Sequence, residues 1–293
     1  MTSIIRSVAV LGSGTMGTGI AQAAALAGFS TTLFDVDAAA LRRGMARARS
    51  QMDEGVRRGK IAADQRDRAV SMLSSAGELA AAAGDADLVI EAIPEIMELK
   101  KKTFADLGRA CRESAILASN TSSLSITQIS SAAPAPGRVI GLHFFNPPHI
   151  MKLVEIVKGA LTTDEVVETS RQFVASLGKE AILVRDTPGF ATSRLGLALG
   201  LEAMRMLEQG VATAADIDKA MELGYGHPMG PLKVSDLVGL DVRLSIAEIL
   251  HRELGAGQFE PPAILRALVR DGKLGRKTGE GFHRWDDNGA GRK

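Results

Sequence analysis

The chain has 293 residues, 45% of them apolar and 24% charged, with a formal net charge of +1. That length suits two domains, and the near balance of charge excludes a global field for nucleic acid or an anionic membrane surface. One cysteine, Cys111, excludes an internal disulfide framework and fits a reducing cytoplasm.

Residues 8–34 carry no charge at all. Gly12, Gly14, Gly17, Gly19 and Gly28, with Ser and Thr between them, make that stretch too polar for lipid, so it is expected to be buried within a folded domain. Short β-branched runs follow one another: SVAVL, TTLFD, DLVIEA, AILAS, RVIGL, LVEIV and AILV are the predicted strands. Helical patterns separate the first four, and that alternation predicts a mostly parallel sheet covered by helices. After RDTPGF (185–190) the strand signal stops, and helices are predicted over 191–209, 214–222, 232–253 and 262–271. The boundary is set near Asp186, giving domains 1–186 and 187–293, with the terminal NGAGRK expected to fray.

VAVLGSGTMGTG places Gly12-x-Gly14-x-x-Gly17 directly after a strand and before a helix. The three glycines allow a tight turn, close approach of a phosphate, and close helix–strand packing. Thr15, Met16 and Gly17 then open the helix whose N-terminal N–H groups suit a pyrophosphate. Asp35 follows Gly17 by 18 residues at the end of the next strand, where a carboxylate accepts ribose hydroxyls and repels a 2′-phosphate. The cofactor expected is NAD. Asp37 reads instead as the N-cap of the next helix.

That helix, over 38–60, carries a local charge of +5 along a long insertion. Leu41, Met45, Ala48, Met52 and Val56 form its apolar stripe, and its arginines, with Arg57 and Lys60 at the far end, suit a phosphate-rich guest.

SNTSSL (119–124) ends one strand in short polar side chains, suited to hold a substrate oxygen or simply to cap a helix. His143 ends RVIGL, and ligands bind beyond the carboxyl ends of strands in open α/β sheets. Glu155 lies within KLVEIVK, where it either orients an imidazole that accepts a hydroxyl proton, or faces solvent. The spacing leaves both open. The five histidines are scattered without cysteine neighbours, so no metal site is expected.

GSGTMGTGIAQ, DLVIEAIPE, LASNTSSLSIT, GLHFFNPPHIMKLVE, DTPGF, GHPMGP and LGRKTGEGF, in order from about residue 5 to 285, together resemble the L-3-hydroxyacyl-CoA dehydrogenase family, in particular its bacterial 3-hydroxybutyryl-CoA branch. The resemblance implies an α/β fold: a Rossmann-type doubly wound sheet with a helical arm, followed by an all-helical C-terminal domain that dimerises. It implies NAD and a short-chain (3S)-3-hydroxyacyl-CoA substrate. Position by position, it makes His143 the base, Glu155 its partner, Ser122 a substrate contact and Asn146 a neighbour of the nicotinamide. Glu95, Lys100 and Lys277 fall where the family contacts NAD, and the basic helix where an arm covers the CoA nucleotide. Two positions depart from the pattern: Ser193 and Gly226 stand where the family has Asn, which puts the acyl group in question. A carrier-bound or free hydroxy acid is the alternative substrate, and NAD binding without turnover the non-enzyme reading.

Overall fold

Most strands of the first unit are continuous apolar runs, because helices cover both faces of the sheet they join. VAVL and LVI are fully buried, and the sheet centre is correspondingly Val, Ile, Leu and Ala. The computed structural model describes residues 5–285; the expected fraying of NGAGRK lies outside them. The chain divides between Thr187 and Pro188 into two compact units.

The first unit holds strands β1 (Ser7–Leu11), β2 (Ser30–Phe34), β3 (Leu73–Ala76), β4 (Leu88–Glu91), β5 (Ile116–Ser119), β6 (Val139–Phe144), β7 (Leu153–Lys158) and β8 (Glu180–Arg185). They form one sheet in the order β3-β2-β1-β4-β5-β6-β7-β8. Every neighbouring pair is parallel except β6 and β7. Helices α1 (Thr15–Leu26), α2 (Ala38–Arg57), α3 (Ala63–Met72), α4 (Leu79–Ala83), α5 (Met97–Ala110), α6 (Ile126–Ser130) and α7 (Asp164–Ser176) connect them. This is a Rossmann-type doubly wound sheet. Because β1 pairs with both β2 and β4, the winding reverses there, and the crevice beyond those strand ends is the ligand position such sheets offer.

Three details of this unit differ from expectation. The edge strand β3, LSSA, has little β-branched character and gave no strand signal, yet Ser74 bonds across to Thr32 Oγ1 and to the Thr31 carbonyl. The helix predicted over 38–60 stops at Arg57, so Lys60 lies in the following turn. His143 is the penultimate pairing residue of β6, not its end, because the antiparallel ladder with β7 continues to Phe144.

The second unit is helical: α8 (Thr192–Glu208), α9 (Ala214–Gly224), α10 (Pro231–Val238), α11 (Leu240–Leu254) and α12 (Ala263–Arg270). Its own core gathers Leu197, Leu201, Met204, Ile217, Leu232, Leu250, Phe259 and Leu265. The helix predicted over 232–253 is broken at Gly239, whose φ of +105° no helix accommodates and only glycine adopts without strain.

Candidate active site

The glycine loop after β1 is tight because its neighbours leave no room for side chains. A Cβ on Gly17 would lie 1.8 Å from the Gly12 carbonyl oxygen, and one on Gly12 2.5 Å from that of Ala92, beyond β4. Gly14 is the contrast, exposed and with nothing within 4 Å of its Cβ position. It also N-caps α1 without any side-chain bond, so the first-turn N–H groups at Thr15, Met16 and Gly17 keep the donor capacity an anion can use. Asp35 lies just past β2. Its Oδ2 accepts from the Ser13 N–H and hydroxyl, each at 2.7 Å, and its Oδ1 from the Asp37 N–H at 3.0 Å. Burial pushes its carboxyl up, but these donors outweigh it and hold it below the ordinary value, as an anionic acceptor. Open glycine, uncapped helix and charged carboxylate together fit an adenine dinucleotide.

His143 and Glu155 oppose one another across the antiparallel β6–β7 ladder. His143 Nδ1 lies 2.7 Å from Glu155 Oε2, with the imidazole 8% and the carboxylate 0% exposed. The solvent-facing alternative for Glu155 is thereby removed. A carboxylate taken fully out of water needs such a partner, and its bond to Nδ1 fixes which imidazole nitrogen serves the reaction side.

The loop after β6 carries Asn146, which is exposed and precedes a cis proline. Lys179 Nζ donates to the carbonyls of Pro148 and Met151, both at 2.7 Å, and Pro148 packs so closely on α1 that a Cβ at Gly19 would be 2.8 Å from it. The Asn146 loop is therefore braced against the helix that the glycine motif starts.

Ser122 sits in the turn after β5, which a polar network secures. Asn120 Oδ1 accepts from the Phe144 N–H at 2.9 Å, tying the turn to β6 beside His143. Glu95 Oε1 accepts from Thr121 Oγ1 and from the Ser122 and Ser123 N–H groups. Lys100 is 1% exposed and its ammonium bridges Glu91 Oε1 at 2.7 Å and Glu95 Oε2 at 3.2 Å. Breaking a buried pair of this kind by removing one partner typically costs about 3–5 kcal/mol. Burial raises the Glu95 carboxyl, but the Lys100 charge, the Thr121 hydroxyl and the Ser122 N–H bring it below its ordinary value.

In the arm, Leu41, Gly44, Ala48 and Met52 are the buried face of α2, and Asp37 caps it by accepting from the Ala39 N–H. A Cβ at Gly44 would be 2.8 Å from that of Ser13, so the arm packs on the glycine loop itself. Arg57 and Lys60 are exposed, Arg57 paired with Glu54. In the second unit Ser193 lies half-buried in the first turn of α8, Gly226 is exposed with φ of +71°, and the Lys277 ammonium is held by both oxygens of Asp241.

Residues 7–187 match the NAD binding domain of 3-hydroxyacyl-CoA dehydrogenase, and residues 189–285 match its C-terminal domain. The chain belongs to the 3-hydroxyacyl-CoA dehydrogenase family. Within that family it is 42% identical to a 3-hydroxybutyryl-CoA dehydrogenase of Bradyrhizobium diazoefficiens, over 97% of this chain and 96% of the relative. It is also 42% identical to a 3-hydroxyadipyl-CoA dehydrogenase of Escherichia coli, over 96% of this chain and 59% of that protein. The crystal structure of (S)-3-hydroxybutyryl-CoA dehydrogenase PaaH1 from Ralstonia eutropha superposes with a TM-score of 0.92 at 36% identity, over 97% of this chain and 100% of that one. As a member of the family the protein is an NAD-dependent oxidoreductase.

Three polar residues of this 3-hydroxyacyl-CoA dehydrogenase site escaped the sequence reading. Nothing in the spacing singles out Ser13 between its glycines, Glu91 at the end of β4, or Asn120 among the polar residues of SNTSSL. The signal that existed was Glu91 in a run as apolar as DLVIEA, where a charge requires a partner.

Proposed function

We propose that this protein catalyses the reversible oxidation of a short-chain (3S)-3-hydroxyacyl-CoA, with 3-hydroxybutyryl-CoA the first candidate, to the 3-ketoacyl-CoA. NAD, when bound, accepts the hydride that leaves C3. His143 accepts the hydroxyl proton at Nε2 and returns it in the reverse direction, while Glu155 at Nδ1 stabilises the imidazolium. Ser122 holds the substrate oxygen. Gly12, Gly14, Thr15, Met16, Gly17 and Asp35 hold the dinucleotide, with Glu95, Asn146 and Lys277 completing that set. Ser193 meets the acyl group, and Arg57 and Lys60 meet the CoA nucleotide phosphates.

The observation that carries this reading is the buried 2.7 Å His143–Glu155 pair on the ligand side of the sheet. The acyl group is less constrained, since relatives named for a four-carbon and for a dicarboxylic substrate are equally similar. Saturation kinetics with CoA, carrier-protein and free-acid substrates test it: the CoA thioester should give the highest kcat/KM, and preference for either other form would replace that part of the reading.

The same reading makes the second unit the surface through which two copies pair. Leu223 and Tyr225, 80% and 78% exposed, and Leu195, 72% exposed, are large apolar groups of the kind a homodimer interface covers. Light scattering at working concentration should give twice the chain mass. Among the described residues no helix is long and apolar enough to cross a membrane, and a cytoplasmic location remains part of the proposal on the strength of the single cysteine.

A further inference from the structure

Most charged side chains buried in this protein have a counter-charge or a set of donors. Glu91 pairs with Lys100 and Asp218 with His283, while Asp236 accepts from two backbone N–H groups and the Trp285 indole. Arg243, near the start of α11 and 7% exposed, is the exception among the described residues. Its Nε is buried without a hydrogen-bond partner, and its guanidinium forms no ion pair with any described residue. Burial alone pushes that group down to about 10, with no neighbouring carboxylate to raise it again, so it is still a cation at neutral pH. Its place adds to the cost, because the positive end of a helix dipole favours an anion over a cation. An unpaired charge out of water is expensive, and such costs collect where a ligand relieves them. Arginines elsewhere in this unit are satisfied by protein groups: Arg205 donates to the Gln258 and Glu260 carbonyls, and Arg266 pairs with Glu248.

The guanidinium faces α8. Outside its own helix, a Cβ built on Gly196 would have one neighbour within 4 Å among the described residues, Arg243 Nη1 at 3.9 Å. Gly196 is half-buried, so this is an open space with a cation at its edge. Ser193 precedes Gly196 by three residues, which puts both on one face of α8 with Cβ positions about 5–6 Å apart. Gly200 continues that face. Small residues leave room there that larger side chains would close, and Arg243 gives the room its charge. A planar guanidinium offers a fork of N–H donors that fits a carboxylate with two bonds.

We propose that Arg243 recognises a carboxylate at the far end of the acyl chain, held beside Gly196 one helix turn from Ser193, so that the preferred substrate class is a dicarboxylic 3-hydroxyacyl-CoA. The inference rests on the role given to Ser193 above and names the acyl class left open there. A four-carbon chain ends in a methyl group just beyond C3 and offers a guanidinium nothing. A longer chain ending in a carboxylate carries the missing anion. Among chains that end in a methyl group, the four-carbon one keeps its place.

The test compares 3-ketoadipyl-CoA with 3-ketohexanoyl-CoA, which differ only at C6, a carboxylate in one and a methyl group in the other. Wild type, Arg243→Met and Arg243→Lys are used as full chains. Calorimetry without NADH gives the Kd of each thioester, initial rates give kcat/KM, and light scattering gives the mass. Wild type should favour the carboxylate chain by about 10- to 100-fold, the range of charge-assisted hydrogen bonds. Arg243→Met should bring the two chains within about threefold of each other, through the Kd and KM of the carboxylate chain rather than kcat. Arg243→Lys keeps the charge without the fork and should fall between. Removing an unpaired buried charge should not lower the melting temperature, which separates a lost preference from a damaged fold. Equal losses on both chains in Arg243→Met, with the ratio kept, would make Arg243 a packing residue and overturn the inference. So would a monomeric Arg243→Met with its preference intact, which would set the guanidinium against a second copy. A wild type that binds and turns over the two chains alike would overturn the inference and leave the proposed reaction standing. A wild type that favours the carboxylate chain in Kd but turns over neither would do the reverse.

Discussion

Among the described residues, two buried histidine–carboxylate pairs occur, one in each unit, and their local geometry is nearly the same. His143 Nδ1 lies 2.7 Å from Glu155, and His283 Nε2 lies 2.8 Å from Asp218. The imidazoles are 8% and 7% exposed, and both carboxylates 0%. Their surroundings differ in kind. Asp218 also accepts the Leu232 and Lys233 N–H groups, capping the start of α10. The His283 N–H donates to Asp236, which further accepts from the Phe282 N–H and the Trp285 indole. These bonds fasten α9 to α10 and the segment around residue 283 to both. His143 and Glu155 instead face each other between two strands, on the side of the sheet where open α/β folds take ligands. A short, dry histidine–carboxylate contact is therefore not a catalytic signature by itself; where the pair stands in the fold decides.

The largest expected effect breaks the two pairs in parallel. His143→Ala should lower kcat by about 10²–10⁴-fold with NAD affinity nearly intact, and Glu155→Gln should fall in the same direction. His283→Ala should leave kcat within about threefold while costing about 1–3 kcal/mol of stability, as expected for a buried acceptor that loses its donor. Denaturant melts and initial rates measured on the same preparations check both. Equal losses of kcat below the melting temperature would erase the distinction.

Asp35 belongs to both categories, since it binds Ser13 within the loop and, in the proposed function, offers its charge to the ribose. Asp35→Ala should raise the KM for NAD about 10- to 100-fold, the range of a lost charge-assisted bond, and narrow the preference over NADP. The carboxyl's native value lies below 3.8, so its charge persists above that value and is lost only as pH falls through the depressed one. NAD affinity should accordingly stay flat with pH down to about 4, as titration calorimetry would reveal. Unchanged cofactor preference in the variant would assign ribose recognition elsewhere.

A smaller effect is expected in the arm. Reversing Arg57 and Lys60 to Glu should weaken CoA thioesters by about tenfold while sparing pantetheine analogues, because only the former carry nucleotide phosphates. Equal losses would make the arm a packing element. Smaller again is Ser193→Asn, which restores the residue the family has. If the substrate is an ordinary short-chain thioester, kcat/KM should rise about threefold to tenfold, the size of one recovered hydrogen bond. If serine makes room for another acyl group, acetoacetyl-CoA should gain while the true substrate loses.

Much of this layout was legible in the residues. The apolar runs gave seven of the eight strands, and the glycine spacing gave the tight turn between β1 and α1. What escaped depended on contacts distant in sequence. Strand β3 exists because Thr31 and Thr32 offer it an edge, which LSSA cannot announce. Lys100 stands in a run of three lysines, and nothing in that run marks it as the one that turns inward to Glu91. Asp218 and His283 lie 65 residues apart, so no local pattern joins them. The His143–Glu155 pair was different: β6 and β7 are adjacent in the chain, and their antiparallel register sets His143 opposite Glu155.

The claim that this pair drives a thioester dehydrogenase is tested most directly by initial rates of NADH oxidation with acetoacetyl-CoA and with longer 3-ketoacyl-CoA substrates, wild type beside His143→Ala. The account predicts saturable turnover by the wild type, highest in kcat/KM for the four-carbon substrate, and about 10²–10⁴-fold less in the variant at full NADH occupancy. A wild type no faster than the variant on every thioester, while still binding NADH, would contradict it and leave a protein that holds the dinucleotide without using it.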